Sequence, residues 1–306
     1  MVTPEVRAEV ERLKEELDAV VLAHYYVEGD VQELADHVGD SFALSRLAAS
    51  LDCSTLVFAG VRFMGESAKL LSPQKRVLLP SPGADCPMAH MVQLDAIAAA
   101  REAYDDLAVV CYVNSTTAAK AASDVCVTSA NALTVVGRLP QKNILFIPDQ
   151  HLGHWIAQQL PQKNVILNDG FCPTHEAIEV AEVLALKEAH PAAPVLAHPE
   201  CPEWVLAHAD YVGSTTGIIK RAVAGREQDF IVLTAAGVEH ALLAQTAGTG
   251  KRFFFPATTP TCPNMATVTL ERLLACMRRG TGEVSVNEDD AAAARAALER
   301  MLELAA

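Results

Sequence analysis

The chain has 306 residues, of which 51% are hydrophobic and 20% charged, so it can bury a sizeable core, and its length favours two or three domains. Its formal net charge of −14 argues against nucleic acid or an anionic membrane as a partner, because no basic stripe is present to meet phosphates. The first residues, MVTPEVRAEVERLKEELDAVV, predict a charged amphipathic helix and lack the apolar core of a signal peptide. No apolar run is long enough to span a bilayer, so we expect a cytoplasmic protein.

The elements after this helix occur three times in the same order. Each unit opens with a short apolar strand that ends in polar and aromatic residues: DAVVLAHYY, LAVVCYVNS and APVLAHPE. A helical stretch and a hydroxyl-bearing segment follow (VGDSFA, VTSANA, VGSTTG), then a second strand, a helix and a third strand (RVLLPS, NVILND, RFFFPA). A Cys-Pro pair closes each unit, and these pairs lie 86 and 90 residues apart, at Cys86, Cys172 and Cys262. Such recurrence indicates an internal repeat.

The strands and helices of each unit predict one fold class. Short β-branched runs bounded by Gly, Pro or Asp are typical of buried parallel strands, and their alternation with helices predicts βαβαβ units. We therefore predict an α/β fold of three three-layer α/β/α domains with short parallel sheets, related by pseudo-threefold symmetry. The domains would cover residues 1–86, 87–172 and 173–264, and helices in residues 265–306 would pack back onto the body. Ligands bind beyond the carboxyl ends of such strands, so three ends that face one another would build one central site.

The eight cysteines do not suggest a disulfide scaffold in a chain of this length, and no C-x2–4-C pair offers a local zinc site. Four of them lie in apolar segments and are interpreted as core residues: Cys53, Cys111, Cys126 and Cys276. The three Cys-Pro cysteines differ, because equivalent positions of three repeats should meet in space. Three thiolates can ligate three irons of a [4Fe–4S] cluster, which leaves the fourth iron without a protein ligand and open to a substrate oxygen.

Other interpretations of these cysteines remain open at this point. Zinc on the same three thiolates competes, although nothing nearby clearly supplies the usual fourth ligand. Cys201, beside Glu200 at a strand end, stays ambiguous. The chain could accordingly be a zinc-dependent hydrolase or lyase, or a non-catalytic iron–sulfur sensor or carrier.

Polar residues at the strand ends are the other candidates for the site. His24 and His198 occupy matching positions in the first and third repeats, with Tyr112 in the second, and this matching favours function over a structural role. His175, three residues after Cys172, is a candidate hydrogen-bond donor near the metal. Hydroxyl residues lie where helices should begin, and they are either N-caps or part of an anion site: Ser41, Ser129, Ser214 and Thr215.

A set of motifs spread over residues 20 to 265 resembles those of the quinolinate synthase family. Quinolinate synthase is the second enzyme of bacterial de novo NAD synthesis. The motifs are AHYYVEGDVQELADHVGDS, FMGESAKLLSP, YVNSTTAAKAASDVCVTSANA, GFCPTH, AHPECP, GSTTGI and CPNM. The resemblance implies a pseudo-threefold fold, an oxygen-sensitive [4Fe–4S] cluster on three cysteines, and condensation of iminoaspartate with dihydroxyacetone phosphate to quinolinate, phosphate and water. Whether iminoaspartate reaches the site by diffusion or by contact with L-aspartate oxidase stays open.

The resemblance also implies roles for individual residues. Glu200 would be the general acid and base, Tyr26 and Tyr112 would position the intermediate and share proton transfer, and His198 would assist at the same centre. The substrate carboxylates and triose phosphate would contact a further set: His24, Ser41, Met64, Asn114, Ser129, Ser214 and Thr215. One position departs from the family pattern, which commonly has an acidic residue where this chain has Ala235.

Overall fold

The computed structural model describes residues 2–258 and 260–306. Its strands are all short: β1 (Ala19–His24), β2 (His37–Gly39), β3 (Thr55–Ala59), β4 (Arg76–Leu78), β5 (Leu107–Tyr112), β6 (Val125–Val127), β7 (Asn143–Ile147), β8 (Asn164–Leu167), β9 (Val195–Ala197), β10 (Tyr211–Val212), β11 (Asp229–Leu233) and β12 (Arg252–Phe254). They form three parallel four-stranded sheets with the same order, β2-β1-β3-β4, β6-β5-β7-β8 and β10-β9-β11-β12. The predicted α/β fold with three small parallel sheets is confirmed, and each sheet lies inside one predicted repeat. The exact domain boundaries stay a prediction.

Helices connect and cover these strands. They are α1 (Pro4–Leu17), α2 (Gly29–Leu34), α3 (Ser41–Ser50), α4 (Arg62–Leu71), α5 (Leu94–Ala103), α6 (Thr117–Ala121), α7 (Ala132–Arg138), α8 (Gln150–Gln159), α9 (Pro173–Glu176), α10 (Val180–Ala189), α11 (Glu203–Leu206), α12 (Thr215–Ala224), α13 (Val238–Gln245), α14 (Leu270–Arg279) and α15 (Glu288–Leu304). Short 3-10 turns follow two of the Cys-Pro cysteines, at Pro87–His90 and Met265–Thr267. Strands β3, β5 and β7 are buried at almost every residue, because helices cover both faces of a parallel sheet.

In every sheet, an aspartate directly before the second strand makes hydrogen bonds to the first strand. Asp36, Asp124 and Asp210 each accept a hydrogen bond from a backbone N–H fifteen residues earlier in the opening strand, at 2.7, 2.7 and 2.8 Å. The backbone N–H of each aspartate donates to the carbonyl of that same strand residue, at 2.9 Å. A strand two or three residues long makes few ladder bonds of its own, so this pair of bonds holds it in register.

The hydrophobic core is not divided equally among the repeats. One cluster of buried side chains runs through the first and second repeats and into α14 and α15, and includes Val57, Val110 and Leu298. The third repeat has two clusters of its own. One of them contains Tyr25, which comes from the first repeat.

The last two helices join the first two repeats. Helix α14 packs against α1 and α2, whereas α15 packs against α4 of the first repeat and against α6, α7 and β6 of the second. Asn287 caps α15, since its Oδ1 accepts a hydrogen bond from the N–H of Asp289. In the described part of the chain, no helix has the length and apolar composition needed to cross a membrane.

Candidate active site

A cavity lies beyond the carboxyl ends of β1, β5 and β9, where the three repeats meet. It is lined by thirteen of the candidate residues that the sequence singled out: His24, Tyr26, Ser41, Cys86, Tyr112, Asn114, Ser129, Cys172, His175, His198, Glu200, Thr215 and Cys262. Met64 and Ser214 are buried nearby but are not among the lining residues that the structure describes, where Val61 and Phe63 lie instead. Their role in substrate binding stays a prediction. Cys201 is fully buried, and its Sγ contacts the Leu233 carbonyl.

The Cys-Pro pairs present their sulfurs to this cavity in similar ways. Proline occupies the first position of the short helical turn after Cys86 and after Cys172, where its missing N–H costs nothing. The free N–H groups of the turn then reach back to the sulfur, from Met88 and Ala89 to Cys86, and from His175 to Cys172. Asn264 and Met265 do the same for Cys262. The proline therefore shapes a turn whose amides favour the thiolate form of the preceding cysteine.

The sulfur of Cys86 lies close enough to those of Cys172 and Cys262 for their charges to interact. Burial raises the pKa of Cys86 to about 12, with Glu200 and Cys262 as further causes, and the pKa of Cys172 is raised by burial, Glu200 and Cys86. A bound metal would remove this penalty by supplying positive charge. All eight cysteines are free thiols.

The spacing of the cysteines fits a cluster better than a single ion. A zinc ion with bonds of about 2.3 Å would need its sulfurs within about 4 Å of one another. Among the described residues, the metal-capable set whose ligand atoms all lie within 4.8 Å is Cys172, His175 and Glu200, not the three Cys-Pro cysteines. These three side chains lie close together because they are hydrogen-bonded: His175 Nδ1 lies 2.8 Å from Glu200 Oε2 and 3.2 Å from Cys172 Sγ. The three Cys-Pro thiols therefore lie farther apart than a single zinc ion requires, as the ligands of an iron–sulfur cluster also do.

The two matching histidines have matching hydrogen bonds. Nδ1 of His24 accepts from the N–H of Tyr26 at 3.2 Å, and Nδ1 of His198 accepts from the N–H of Glu200 at 3.3 Å. An accepting Nδ1 places the proton of the neutral ring on Nε2, and Nε2 of His198 lies 3.1 Å from Ser129 Oγ. Burial lowers the pKa of both rings to about 4. Both histidines are therefore neutral N–H donors at pH 7.

Glu200 is the charged centre of the cavity. Its Oε1 accepts a hydrogen bond of 2.6 Å from the Tyr112 hydroxyl, which comes from the second repeat. Burial alone would raise the pKa of Glu200, but its contacts with His175 and His198 and the hydrogen bonds from His175 and Tyr112 lower it overall. Burial and the Glu200 charge raise the pKa of Tyr112, so its phenol keeps its proton. A carboxylate and a phenol that share a short hydrogen bond can exchange a proton with a bound molecule.

Tyr26 is held by two hydroxyls of the third repeat. Its oxygen lies 2.7 Å from Thr215 Oγ1 and 2.6 Å from Thr234 Oγ1, and Thr234 Oγ1 lies 2.9 Å from His175 Nε2. Burial is the main reason that the pKa of Tyr26 is raised. The sequence reasoning missed Thr234. Its only signal was its position directly after β11, a strand that ends at the site.

The hydroxyl segments differ from their predicted arrangement. Ser41 and Thr215 are the first residues of α3 and α12, but the caps are their neighbours: Asp40 accepts from the N–H of Ala43, and Ser214 accepts from the N–H of Gly217. Ser129 does not begin a helix. Asn131 Oδ1 accepts from the N–H of Thr128 and forms a turn there, so α7 starts only at Ala132. The hydroxyls that line the cavity are thus not the capping groups.

The chain is similar to known proteins over almost its whole length. The family model described as Quinolinate synthetase A protein matches residues 8–303. The curated quinolinate synthase of Fusobacterium nucleatum is 46% identical over 296 residues, which cover 97% of this chain and 98% of that protein. Those of Caldicellulosiruptor saccharolyticus and Aquifex aeolicus are 43% and 42% identical, over 98% of this chain and over 98% and 94% of their own lengths. These matches confirm the resemblance of the motifs, and the chain belongs to the quinolinate synthase family.

Proposed function

We propose that this protein condenses iminoaspartate with dihydroxyacetone phosphate to give quinolinate, phosphate and water, as a step of de novo NAD biosynthesis. The observation that carries the proposal is the 2.6 Å bond between Tyr112 and Glu200 in a cavity that also holds the three Cys-Pro sulfurs. Ring formation needs phosphate loss, imine formation, tautomerisation and dehydration, and each of these steps moves protons.

The cluster in this proposal is a [4Fe–4S] cluster held by Cys86, Cys172 and Cys262, with one iron that has no protein ligand. When bound, it supplies a Lewis-acidic iron for a hydroxyl that leaves as water. Burial raises the pKa of Cys86 and Cys262, and the turn amides offset only part of that rise, so the positive charge of a bound cluster would supply the rest of the stabilisation of the thiolates.

The proton transfers fall to Glu200 and the two tyrosines. Glu200 is ionised, so it can remove a proton from carbon or nitrogen of the bound intermediate, and the Tyr112 phenol can return one along their shared bond. Tyr26 faces the same space from the first repeat and positions the intermediate. His198 assists as a neutral donor, because its Nε2 carries the proton.

The anionic substrates would be held without cationic side chains. Among the lining residues that the structure describes there is no lysine or arginine. The donors are the neutral rings of His24 and His198 and the hydroxyls of Ser41, Ser129 and Thr215, two of which begin helices whose N-termini favour anions. Asn114 Oδ1 is buried and has no partner in the described part of the chain, which leaves it to accept a hydrogen bond from the substrate.

Cytoplasmic location belongs to the same proposal, because free thiols and an oxygen-sensitive cluster need a reducing compartment. L-aspartate oxidase is the partner that would supply iminoaspartate. Neither nucleic acid nor a membrane takes part in this reaction.

The test is quinolinate formation from oxaloacetate, ammonia and dihydroxyacetone phosphate by protein purified without oxygen. We expect brown protein that absorbs near ~400 nm, as thiolate-bound iron does, and that forms quinolinate. Cys172→Ala should lose both iron and activity, whereas the matched variant Cys126→Ala, in the buried β6 strand, should keep both. Colourless, zinc-containing protein, or brown protein without turnover, would contradict the proposal.

A further inference from the structure

A second cleft lies between α14 and the loop that follows β4. We call it the α14 cleft; it is lined by residues 79–83, Thr267, Arg272, residues 275–276 and residues 281–282. Its volume is about 520 Å³, which is within the size range of small-molecule sites. None of the described residues that line it also lines the central cavity, so the α14 cleft is a separate space.

The α14 cleft holds an unpaired positive charge. Arg272 is the one charged residue among the described residues that line it, in a chain whose formal net charge is −14. None of the described ion pairs includes Arg272, whereas Arg221, Arg252 and Arg278 each bind a carboxylate. A cationic group with no carboxylate partner attracts anions to the cleft.

The hydrogen bonds of Arg272 leave one edge of its guanidinium open. Its Nη1 donates to Ser81 Oγ at 2.7 Å and to the Thr267 carbonyl at 3.2 Å, and its Nε and Nη2 have no partner among the described hydrogen bonds. In Arg252 and in Arg278, Nε and Nη2 donate to the two oxygens of one carboxylate, at 2.7 Å each. The same edge of Arg272 is therefore available to two oxygens of an anion.

A directed chain of hydrogen bonds holds Arg272 in place. The Thr267 hydroxyl donates to the Asn264 carbonyl at 2.7 Å, so it can only accept from Ser81, whose Oγ lies 2.8 Å away. Ser81 thus donates its single proton to Thr267 and accepts from Arg272. Ser81 is 2% exposed, so water hardly competes for these bonds. The guanidinium is oriented before any ligand binds, which lowers the entropic cost of binding.

We propose that the α14 cleft is a second binding site for a phosphate group, free or carried by a small metabolite, which the Nε and Nη2 groups of Arg272 hold. Guanidinium binds phosphate oxygens through two parallel N–H bonds. A phosphate monoester carries about 1.5 to 2 negative charges at pH 7, so one guanidinium attracts it more strongly than it attracts a carboxylate. Apolar side chains would contact the uncharged body of such a metabolite: Leu79, Pro80, Pro82 and Ala275.

Calorimetric titration of the oxygen-free holoenzyme with inorganic phosphate and with AMP tests the site, with quinolinate in excess to occupy the central cavity. Arg272→Gln should weaken the binding of both by about 10–150-fold, as the loss of hydrogen bonds to a charged group does. Arg279→Gln is the matched control, because it removes the same charge from an exposed position of α14 that does not line the cleft. Its affinity should stay within about 3-fold of wild type.

A second variant keeps Arg272 and its bond to Ser81. A Cβ on Gly83 would meet no heavy atom within 4 Å, so a side chain fits there. Gly83→Asp adds a negative charge to the cleft and should weaken phosphate binding by about 10-fold or more, through repulsion of the anion and attraction to Arg272. Gly83→Asn, which has the same shape without the charge, should stay within about 3-fold of wild type. Bound phosphate should also slow hydrogen exchange in residues 79–83 and 267–272.

The two arms of the titration identify the source of the phosphate group. Tighter binding of AMP than of phosphate supports a phosphate monoester, because the apolar walls then contribute, and equal binding supports free phosphate. The inference is overturned if neither probe binds, if both bind Arg272→Gln as they bind wild type, or if Gly83→Asp and Gly83→Asn bind them equally. Quinolinate formation is not part of this test, so a wild-type holoenzyme without turnover contradicts the proposed function and leaves this inference to the titrations.

Discussion

The first two repeats and the third repeat share one strand order but are attached to the molecule differently. The first and second share a single core that α15 closes. The third keeps its own clusters and meets the others at the cavity, through Tyr25 in its core and through the bond between Glu200 and Tyr112. The bond between Glu200 and Tyr112 thus joins the third repeat to the second through two groups proposed to perform the reaction. Helices α11 and α8 make a separate junction, where Glu203 lies 2.8 Å from Gln158 Nε2 and 3.2 Å from His154 Nε2.

Gln32 strengthens the junction between the first and third repeats. Its side-chain Nε2 lies within 3.1 Å of the backbone carbonyl oxygens of Tyr25, Val27 and Gly237, and thus bridges the two repeats. A Cβ on Gly237 would come within 2.5 Å of the Tyr26 carbonyl oxygen, so only glycine permits this close approach. This contact fixes the backbone on both sides of the site.

The largest effect should come from Glu200, where the second and third repeats meet. Glu200→Gln keeps the shape of the side chain but cannot accept a proton, so kcat should fall by roughly 10²–10⁴ while iron content stays unchanged. Glu203→Gln, an exposed neighbour on α11, is the control and should have normal kcat. Near-normal turnover in iron-replete Glu200→Gln would remove Glu200 from the proton transfers.

Two core substitutions test whether the third repeat is an independent unit. Leu298 lies in the shared core and Leu242 in the core of the third repeat, and both side chains are fully buried. Leu298→Ala and Leu242→Ala should therefore each cost about 2–5 kcal/mol of unfolding free energy. Hydrogen exchange should show weaker protection of both β1 and β5 in Leu298→Ala. In Leu242→Ala it should show weaker protection of β11 alone. Equal loss of protection in β5 for both variants would mean one cooperative unit.

The free energy of unfolding should fall in mild acid because of His24 in the first repeat and His198 in the third. The pKa of His24 and of His198 is about 4 in the folded protein, against about 6.5 when unfolded. Between these values the unfolded chain binds protons that the folded chain does not, so stability decreases as pH falls from 6.5 to 4. Each ring contributes at most about 3 kcal/mol.

Urea unfolding at pH 7, 5.5 and 4.5 measures this effect. His24→Gln and His198→Gln should each flatten the pH dependence by a similar amount, since the two rings have matching environments. A wild-type protein with constant stability over this range would show that the rings are not buried as neutral groups.

The smallest effects should separate hydroxyls that contact the substrate from those that cap helices. Ser41→Ala and Thr215→Ala should weaken quinolinate binding by roughly 10–150-fold, the worth of a hydrogen bond to a charged group. Ser214 caps α12, so Ser214→Ala should cost about 1 kcal/mol of stability, and an unchanged affinity in that variant would remove Ser214 from the predicted substrate contacts. Calorimetry and thermal midpoints for the three variants check this, and the reverse pattern would make the cavity hydroxyls structural.

Several of these features could be predicted from the sequence because they are local or repeated. The three Cys-Pro pairs mark equivalent loops, and the structure places all three cysteines on one cavity. The aspartates at 36, 124 and 210 recur at 88 and 86 residues, so the register bond they make was visible in the sequence although it went unnoticed. The start of α7 was misplaced at Ser129, because a side chain of the turn itself, Asn131, competes with the helix for the backbone.

What the sequence by itself determined is the order of elements in each repeat, because strand length, turn residues and the cysteine spacing act within tens of residues. Only the tertiary structure decided which repeats share a core and which side chains touch across the site. Thr234 and Tyr26 are separated by 208 residues, and Tyr112 and Glu200 by 88, yet both pairs are in hydrogen-bond contact. Such contacts depend on how three separate sheets are oriented to one another, and this orientation is set by the packing of whole repeats rather than by any local pattern.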